Sequence, residues 1–307
     1  LETPAPLLVP GEVIVRMEHL SICGSDLRVY DRVLPEDEYP RPIGQPCHEC
    51  LGVVVESREE GIKVGQRVIA VTNIGGLAEY LSVPTDLIVT LPEDAPANPA
   101  WVLCQPLGTV IHAVEQMGSL FGKRVLVIGQ GPIGLTFTQL VARMGARQVI
   151  VCDKHDYRLD QAKRLGATHT INATREDIVA GVTEITGGAL ADIAVEATGR
   201  PEALHQLFET LRMRGMAVIF GLTHDEDVFP IDWRMICEKI PNILVTNSAR
   251  AGDRVDCVRT AVDLVNQGRI DVSHLLTHRL SWKELARGFE IYSAKAEDSL
   301  KVVIDVI

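Results

Sequence analysis

Two short stretches gather the residue types that hold zinc. Cys23 stands in Ser21-Ile22-Cys23-Gly24-Ser25-Asp26, and His48 and Glu49 stand side by side in Gln45-Pro46-Cys47-His48-Glu49-Cys50-Leu51-Gly52. A thiolate, an imidazole and a carboxylate are the sulfur, nitrogen and oxygen donors that Zn²⁺ accepts in a tetrahedral shell. Three protein ligands leave a fourth position open to water or substrate, the arrangement of a catalytic rather than a structural ion. Spacing alone leaves a plain alternative open, in which Cys23 and His48 are ordinary core or surface residues. Cys47-His48-Glu49-Cys50 also invites a metal-knuckle reading. A knuckle needs a second ligand pair at similar spacing and none is visible, so Cys47 and Cys50 are expected to pack as small buried residues.

A second stretch carries different chemistry. Val125-Leu126-Val127-Ile128-Gly129-Gln130-Gly131-Pro132-Ile133-Gly134 reads as a strand, a G-x-G-x-x-G turn and the start of a helix. Gly129 permits the tight turn, Gly131 lets backbone approach a pyrophosphate, and Gly134 lets helix pack closely on strand. Pro132 loses nothing at the first helical position, and with Ile133 it opens a helix whose unpaired N–H groups attract phosphate. A glycine turn alone is weak evidence; the next strand strengthens it by ending on Asp153, about 20 residues on, where an acid would hold the adenosine ribose 2′-OH. That carboxylate would repel a 2′-phosphate, so NAD is expected in preference to NADP. Lys154 and Arg158 lie close enough in sequence to soften the repulsion, their plain alternative being solvated cations at a helix start.

These groups need elements to position them. From Glu12 to about Leu91, short apolar runs separated by Gly and Pro (Val13–Val15, Gly52–Val55, Val68–Val71, Ala78–Val83, Leu87–Leu91) predict a β-rich domain. A helix is expected from near Pro106 to before Gly118. Strand Arg124–Ile128, helix Ile133–Met144, strand Gln148–Cys152 and helix Tyr157–Leu165 then alternate. Strand Ile193–Ala197, helix Pro201–Leu211, strands Met216–Phe220 and Ile243–Thr246, and helix Val255–Gln267 continue the series. That alternation predicts an α/β fold with a doubly wound parallel (Rossmann) sheet over 119–268. A strand near Leu275–Leu280, a helix Trp282–Tyr292 and a last strand Lys301–Val306 are surplus to it. They are assigned with 1–118, so that 1–118 and 269–307 form one domain into which the nucleotide domain is inserted. The opening run Glu2–Gly11 reads as continuing from an earlier strand expected to precede it.

Composition narrows the function classes. The 307 residues carry 30 Lys plus Arg against 41 Asp plus Glu, a formal net charge of −11, the wrong sign for holding a phosphate backbone, so no nucleic-acid partner is expected. No apolar run is long enough to span a bilayer, and no membrane association is expected. Seven cysteines without the crowded spacing of a disulfide scaffold, and a start lacking a signal-peptide pattern, point to the reducing cytoplasm.

Taken together, the motifs resemble those of the zinc-dependent medium-chain alcohol and polyol dehydrogenases, nearest the sorbitol, threonine and glucose dehydrogenase branches. The matching pieces are Cys23-Gly-Ser-Asp26, His48-Glu49-x-x-Gly52, Lys63-Val-Gly65-Gln-Arg-Val68, Gly75-Gly-Leu-Ala-Glu-Tyr80, Gln105-Pro-Leu107 and the glycine motif through Gly134, in family order along nearly the whole chain. The resemblance implies a GroES-like catalytic domain, zinc on Cys23, His48 and Glu49, and a small alcohol, polyol, sugar or amino-alcohol substrate oxidised with NAD. Glu49 would move on and off the metal, and Ser25 would be the first proton-relay hydroxyl, with Asp26 supporting the site rather than acting as a base. Gln105 stands where most polyol members have Glu, with Cys104 as its neighbouring competitor, and could reach zinc or its water. Near the nicotinamide the resemblance points to Thr109, Thr198-Gly199, Gly221-Leu222 and Asn247-Ser248, each with a plain alternative as a turn or cap residue. A homodimer or homotetramer is also implied, with the apolar Ile231–Val245 region contributing an interface.

Three departures matter. The gap Ile69–Ile74 lacks the four-cysteine lobe that often binds a structural zinc, so one zinc per chain is expected. Arg28 replaces a frequent histidine, removing an imidazole from the proton path. Cys47 replaces the usual glycine before His48. Two rivals remain: a zinc-free double-bond reductase of the same fold, and a non-catalytic NAD-binding protein.

Overall fold

The computed structural model describes residues 3–31, 35–39, 41–223, 228–246 and 254–306. The chain divides into two units, one formed by 1–108 with 251–307 and the other by 109–250.

Along the first stretch run β1 (Glu12–Ser21), α1 (Leu27–Tyr30), β2 (Glu49–Ser57), β3 (Arg67–Ala70), β4 (Tyr80–Pro84) and β5 (Ile88–Thr90), followed by α2 (Cys104–Gln116). The second unit then follows with β6 (Arg124–Ile128), α3 (Pro132–Arg143), β7 (Gln148–Asp153), α4 (Asp156–Arg164), β8 (His169–Asn172), α5 (Ile178–Ile185), β9 (Ala191–Glu196), α6 (Pro201–Thr210), β10 (Leu211–Ile219), α7 (Trp233–Lys239) and β11 (Asn242–Val245). The chain closes with α8 (Arg254–Asn266), β12 (Leu276–Ser281), α9 (Leu285–Ala294) and β13 (Lys301–Asp305).

In the first unit β1 is the organiser. Its alternating Val13, Val15 and Met17 point into the core with Val54, Val68, Val83 and Val302, as the two-residue period of a strand requires. The N-terminal half of β1 pairs with β4, and its C-terminal end pairs with β2 on one side and β13 on the other. Ser21 therefore faces both Glu49 and Val303. Ile22, just beyond, donates its N–H to the Val302 carbonyl at 3.0 Å. This register brings the end of β1 and the starts of β2 and β13 to one place, and the tail strands belong to this sheet.

The second unit holds a six-stranded sheet in the order β11-β10-β9-β6-β7-β8, all pairs parallel. Its near-continuous apolar strands Val125–Ile128 and Val149–Cys152 are buried, as strands covered on both faces must be. The order reverses between β6 and β9, which makes their carboxyl ends the crevice where open α/β sheets take ligands.

Some elements differ from the sequence pattern. β8 and α5 are absent from it, because His169-Thr-Ile-Asn172 is a short edge strand with little apolar signal and α5 is rich in β-branched residues that favour no single state. Helix α8 groups with the first unit, so the divisions at 108/109 and 250/251 differ from those expected at 118/119 and 268/269. The reason is local: a Cβ on Gly108 would lie 2.8 Å from the Val258 nitrogen, so α8 packs backbone to backbone against the start of α2.

Candidate functional site

Cys23 sits in the turn after β1, His48 immediately before β2, and Glu49 is its first residue. The strand register brings them together: one donor atom from each, the thiol sulfur, an imidazole nitrogen and a carboxylate oxygen, all lie within 4.8 Å of one another. Among the described residues this is the one group of three or more His, Cys, Asp or Glu side chains so placed.

Each donor is held from behind. Asp26, buried in the turn that carries Ser25, accepts the Cys23 N–H at 2.8 Å on Oδ2 and lies 3.2 Å from His48 Nδ1 through Oδ1. A carboxylate on Nδ1 fixes the ring and leaves Nε2 as the nitrogen for a metal. Burial works to lower the His48 pKa, but hydrogen bonds to Asp26 and Cys23 and their charges overcome it and push it up to about 11. Surroundings that stabilise a cationic imidazole so strongly also favour a metal cation in its place.

Behind Glu49 lies a residue that the sequence pattern did not single out. Lys301 opens β13, is 2% exposed, and donates from Nζ to Glu49 Oε1 at 2.5 Å and to the Ile22 carbonyl at 3.2 Å. Burial lowers its pKa, but Glu49 and its neighbours outweigh that and raise it. A signal for it exists: a lysine opening the apolar run Val302-Val303-Ile304 in a core strand must have a buried anion nearby. Glu49 is fully buried and its other oxygen, Oε2, has no hydrogen-bond partner. A buried carboxylate oxygen left without a donor is expensive unless a cation completes it.

The donor set therefore fits zinc. With Cys23 as the thiolate and His48 as the neutral imidazole that a metal requires, the three anions Cys23, Asp26 and Glu49 against the ammonium of Lys301 leave two negative charges, matching a divalent ion. Gln105, buried in the first turn of α2, adds no charge to that balance. Cys47 and Cys50, the latter the second residue of β2, are fully buried in the core, and burial pushes both thiols up. None of the seven cysteines forms a disulfide.

In the second unit the glycine turn has the geometry its sequence suggests. Gly129 has φ +91°, and a Cβ on Gly134 would lie 1.8 Å from the Gly129 carbonyl oxygen, so no side chain fits there. Gly131 caps α3, Pro132 is its first residue and Ile133 the next. Asp153 ends β7 and its Oδ2 accepts the Gln130 N–H at 2.7 Å, tying the acid to the turn. Oδ1 meets the His155 ring at 2.9 Å, and Arg158, buried, reaches Oδ2 at 3.8 Å, while Lys154 is exposed. Thr198-Gly199 follow β9 and Gly221-Leu222 follow β10, both at the carboxyl edge of the sheet; Thr109 lies in α2. Asn247 and Ser248 lie outside the described residues.

Comparison with known proteins points the same way. The family described as alcohol dehydrogenase GroES-like domain matches residues 9–93, and the one described as zinc-binding dehydrogenase matches residues 132–267. An L-threonine 3-dehydrogenase of Chromobacterium violaceum is 27% identical over 99% of this chain and 95% of its own length. Among solved structures, the 2R,3R-butanediol dehydrogenase of Bacillus subtilis is 25% identical with a TM-score of 0.84, covering 100% of this chain and 96% of its own. An Escherichia coli oxidoreductase of unknown specificity reaches a TM-score of 0.87 at 26% identity, covering 100% and 95%. With both units matched and the relatives aligned end to end, the chain belongs to the zinc-type medium-chain alcohol and polyol dehydrogenase family.

Proposed function

We propose that this dehydrogenase binds one zinc ion through Cys23, His48 and Glu49 and moves a hydride between a small alcohol, polyol, sugar or amino alcohol and NAD. The observation that carries the reading is the convergence of the three donors, together with a buried Glu49 oxygen that has no hydrogen-bond partner. When bound, zinc supplies Lewis acidity toward the substrate hydroxyl, and NAD supplies the hydride acceptor. The chain's own residues do the rest. Asp26 orients His48, Lys301 steadies Glu49, and Ser25, in the turn between Cys23 and Asp26, takes the proton that leaves the hydroxyl while passing its own outward to water. Gln105 serves as a neutral neighbour of the metal. A zinc-free double-bond reductase would have no use for these donors, and a non-catalytic NAD-binding protein would not need the Ser25 hydroxyl. The names of the relatives, threonine 3-dehydrogenase and butanediol dehydrogenase, favour a substrate with neighbouring polar groups.

NAD is preferred over NADP because Asp153 presents a carboxylate at the end of β7, tied to the glycine turn. The deciding experiment is a panel of polyols, sugars and amino alcohols with either cofactor, run beside metal analysis. We expect about one equivalent of zinc, reduction of NAD faster than NADP, and loss of turnover on chelation. Less than about a tenth of an equivalent of zinc, with turnover indifferent to chelator, would defeat the reading.

The same proposal includes a homodimer or homotetramer acting in the cytoplasm, a compartment in which its seven cysteines, none of them in a disulfide, stay reduced. Among the described residues no helix is long and apolar enough to cross a membrane. β11 is an edge strand, and Ile243, Val245 and the nearby Trp233 are exposed, an apolar edge that a second copy would cover. Sedimentation should show a dimer or larger, and Val245→Lys should shift it toward monomer. A wild-type monomer at micromolar concentration would refute it.

A further inference from the structure

The last residue of β9, Glu196, buries its carboxyl group to 2% exposure. Oε1 accepts from the Thr198 N–H at 2.6 Å, the Thr198 hydroxyl at 2.5 Å and the Gly199 N–H at 2.9 Å. The Gly221 N–H donates to the Glu196 carbonyl at 3.0 Å and also bonds its side chain. Two glycines let the turns close onto this acid. A Cβ on Gly199 would lie 1.9 Å from the Leu222 carbonyl oxygen, and one on Gly221 would lie 2.4 Å from Glu196 Oε2. The glycine-rich turn is drawn in as well: Ala197 donates its N–H to the Ile128 carbonyl at 3.0 Å, and a Cβ on Gly129 would meet the Thr198 methyl at 2.5 Å. One buried carboxylate therefore fastens the turns after β9 and β10, and the first of these in turn abuts the glycine turn after β6.

A buried carboxylate is tolerated only where donors satisfy it, and here every donor comes from the turns themselves. We propose that Glu196 is a positioning residue for the nicotinamide cofactor, locking turns 197–199 and 221–222 into a preformed shelf beside the Gly129–Gly134 turn. The cofactor then meets ordered backbone, and its affinity is not reduced by the cost of ordering two loops at the moment of binding. This inference rests on the reading of the second unit as a nicotinamide-cofactor domain.

The test uses the full chain with Glu196→Gln, NADH as the probe, and amide hydrogen exchange on the cofactor-free protein. Glutamine keeps the shape and one acceptor oxygen but turns an NH₂ toward the remaining donors. The expected result is an NADH Kd raised about tenfold, with exchange at Thr198, Gly199 and Gly221 accelerated. The KM for NAD should rise in parallel while kcat at saturating NAD changes by less than about threefold, because binding energy, not the chemical step, absorbs the loss. Thr198→Val, which removes one donor, should move the same readouts by a smaller amount and decides the matter if the glutamine variant does not fold. Unchanged Kd and exchange in both variants would overturn the proposal, as would lowered thermal stability with an unchanged Kd. Failure of the wild-type protein to bind NADH would instead defeat the cofactor reading, and the exchange measurement would still decide whether Glu196 holds the turns.

Discussion

Cys23→Ser is expected to strip the protein of zinc and lower turnover by roughly a thousandfold, the scale on which a lost Lewis acid appears in the barrier. Serine keeps the size and removes the charge, since its hydroxyl stays protonated where a thiol gives up its proton to a metal. The surrounding anions then fall one short of balancing a divalent ion, and Lys301 is left to neutralise Glu49 alone. Elemental analysis should find under about a tenth of an equivalent of metal. NADH binding should hold within about twofold, because the glycine turn, Asp153 and Glu196 all lie in the other unit. That separation of readouts distinguishes metal loss from unfolding. A Cys23→Ser protein that retains full turnover would contradict the proposed site.

Lys301→Met is expected to be the most destabilising single change near the site. Lys301 and Glu49 are both almost wholly buried and bond at 2.5 Å, so in the metal-free protein removing the ammonium leaves an unpaired carboxylate in the core. Breaking such a pair from one side costs about 3–5 kcal/mol. In a protein of this size that lowers the thermal midpoint by on the order of 10 °C. Lys301→Arg should recover part of the loss by restoring charge. The double variant Glu49→Gln/Lys301→Met should be more stable than Lys301→Met alone, because neither partner is then an orphaned ion, although it loses the proposed metal ligand. Calorimetry on the four proteins decides; a Lys301→Met midpoint within about 1 °C of wild type would show that the pair contributes nothing.

Local chemistry makes much of the site legible in the chain itself. Cys23, His48 and Glu49 are conspicuous because thiol, imidazole and carboxylate are together the donor types of a catalytic zinc. Asp153 is legible because a strand ending on an acid after a glycine turn has a known geometric job. β8 and α5 are not legible, since a four-residue edge strand and a β-branched helix carry weak periodic signals. The placement of α8 is equally invisible: its own pattern predicts a helix and says nothing of which unit it covers. Glu196 reads as the polar end of a strand, and its bonds run to backbone donors two, three and 25 residues on, a pattern no spacing rule encodes.

The sequence by itself determined the candidate metal donors, the glycine turn and the alternation of strand and helix, because those depend on residue type and short-range spacing. Tertiary structure alone decided how the donors are held. Lys301 is 252 residues from Glu49, and only the pairing of β1 with both β2 and β13 makes them neighbours. Register fixes which side chains meet across a sheet, and it is set by the burial of whole strands rather than by any one residue. The charge that steadies Glu49 is therefore a property of the folded sheet.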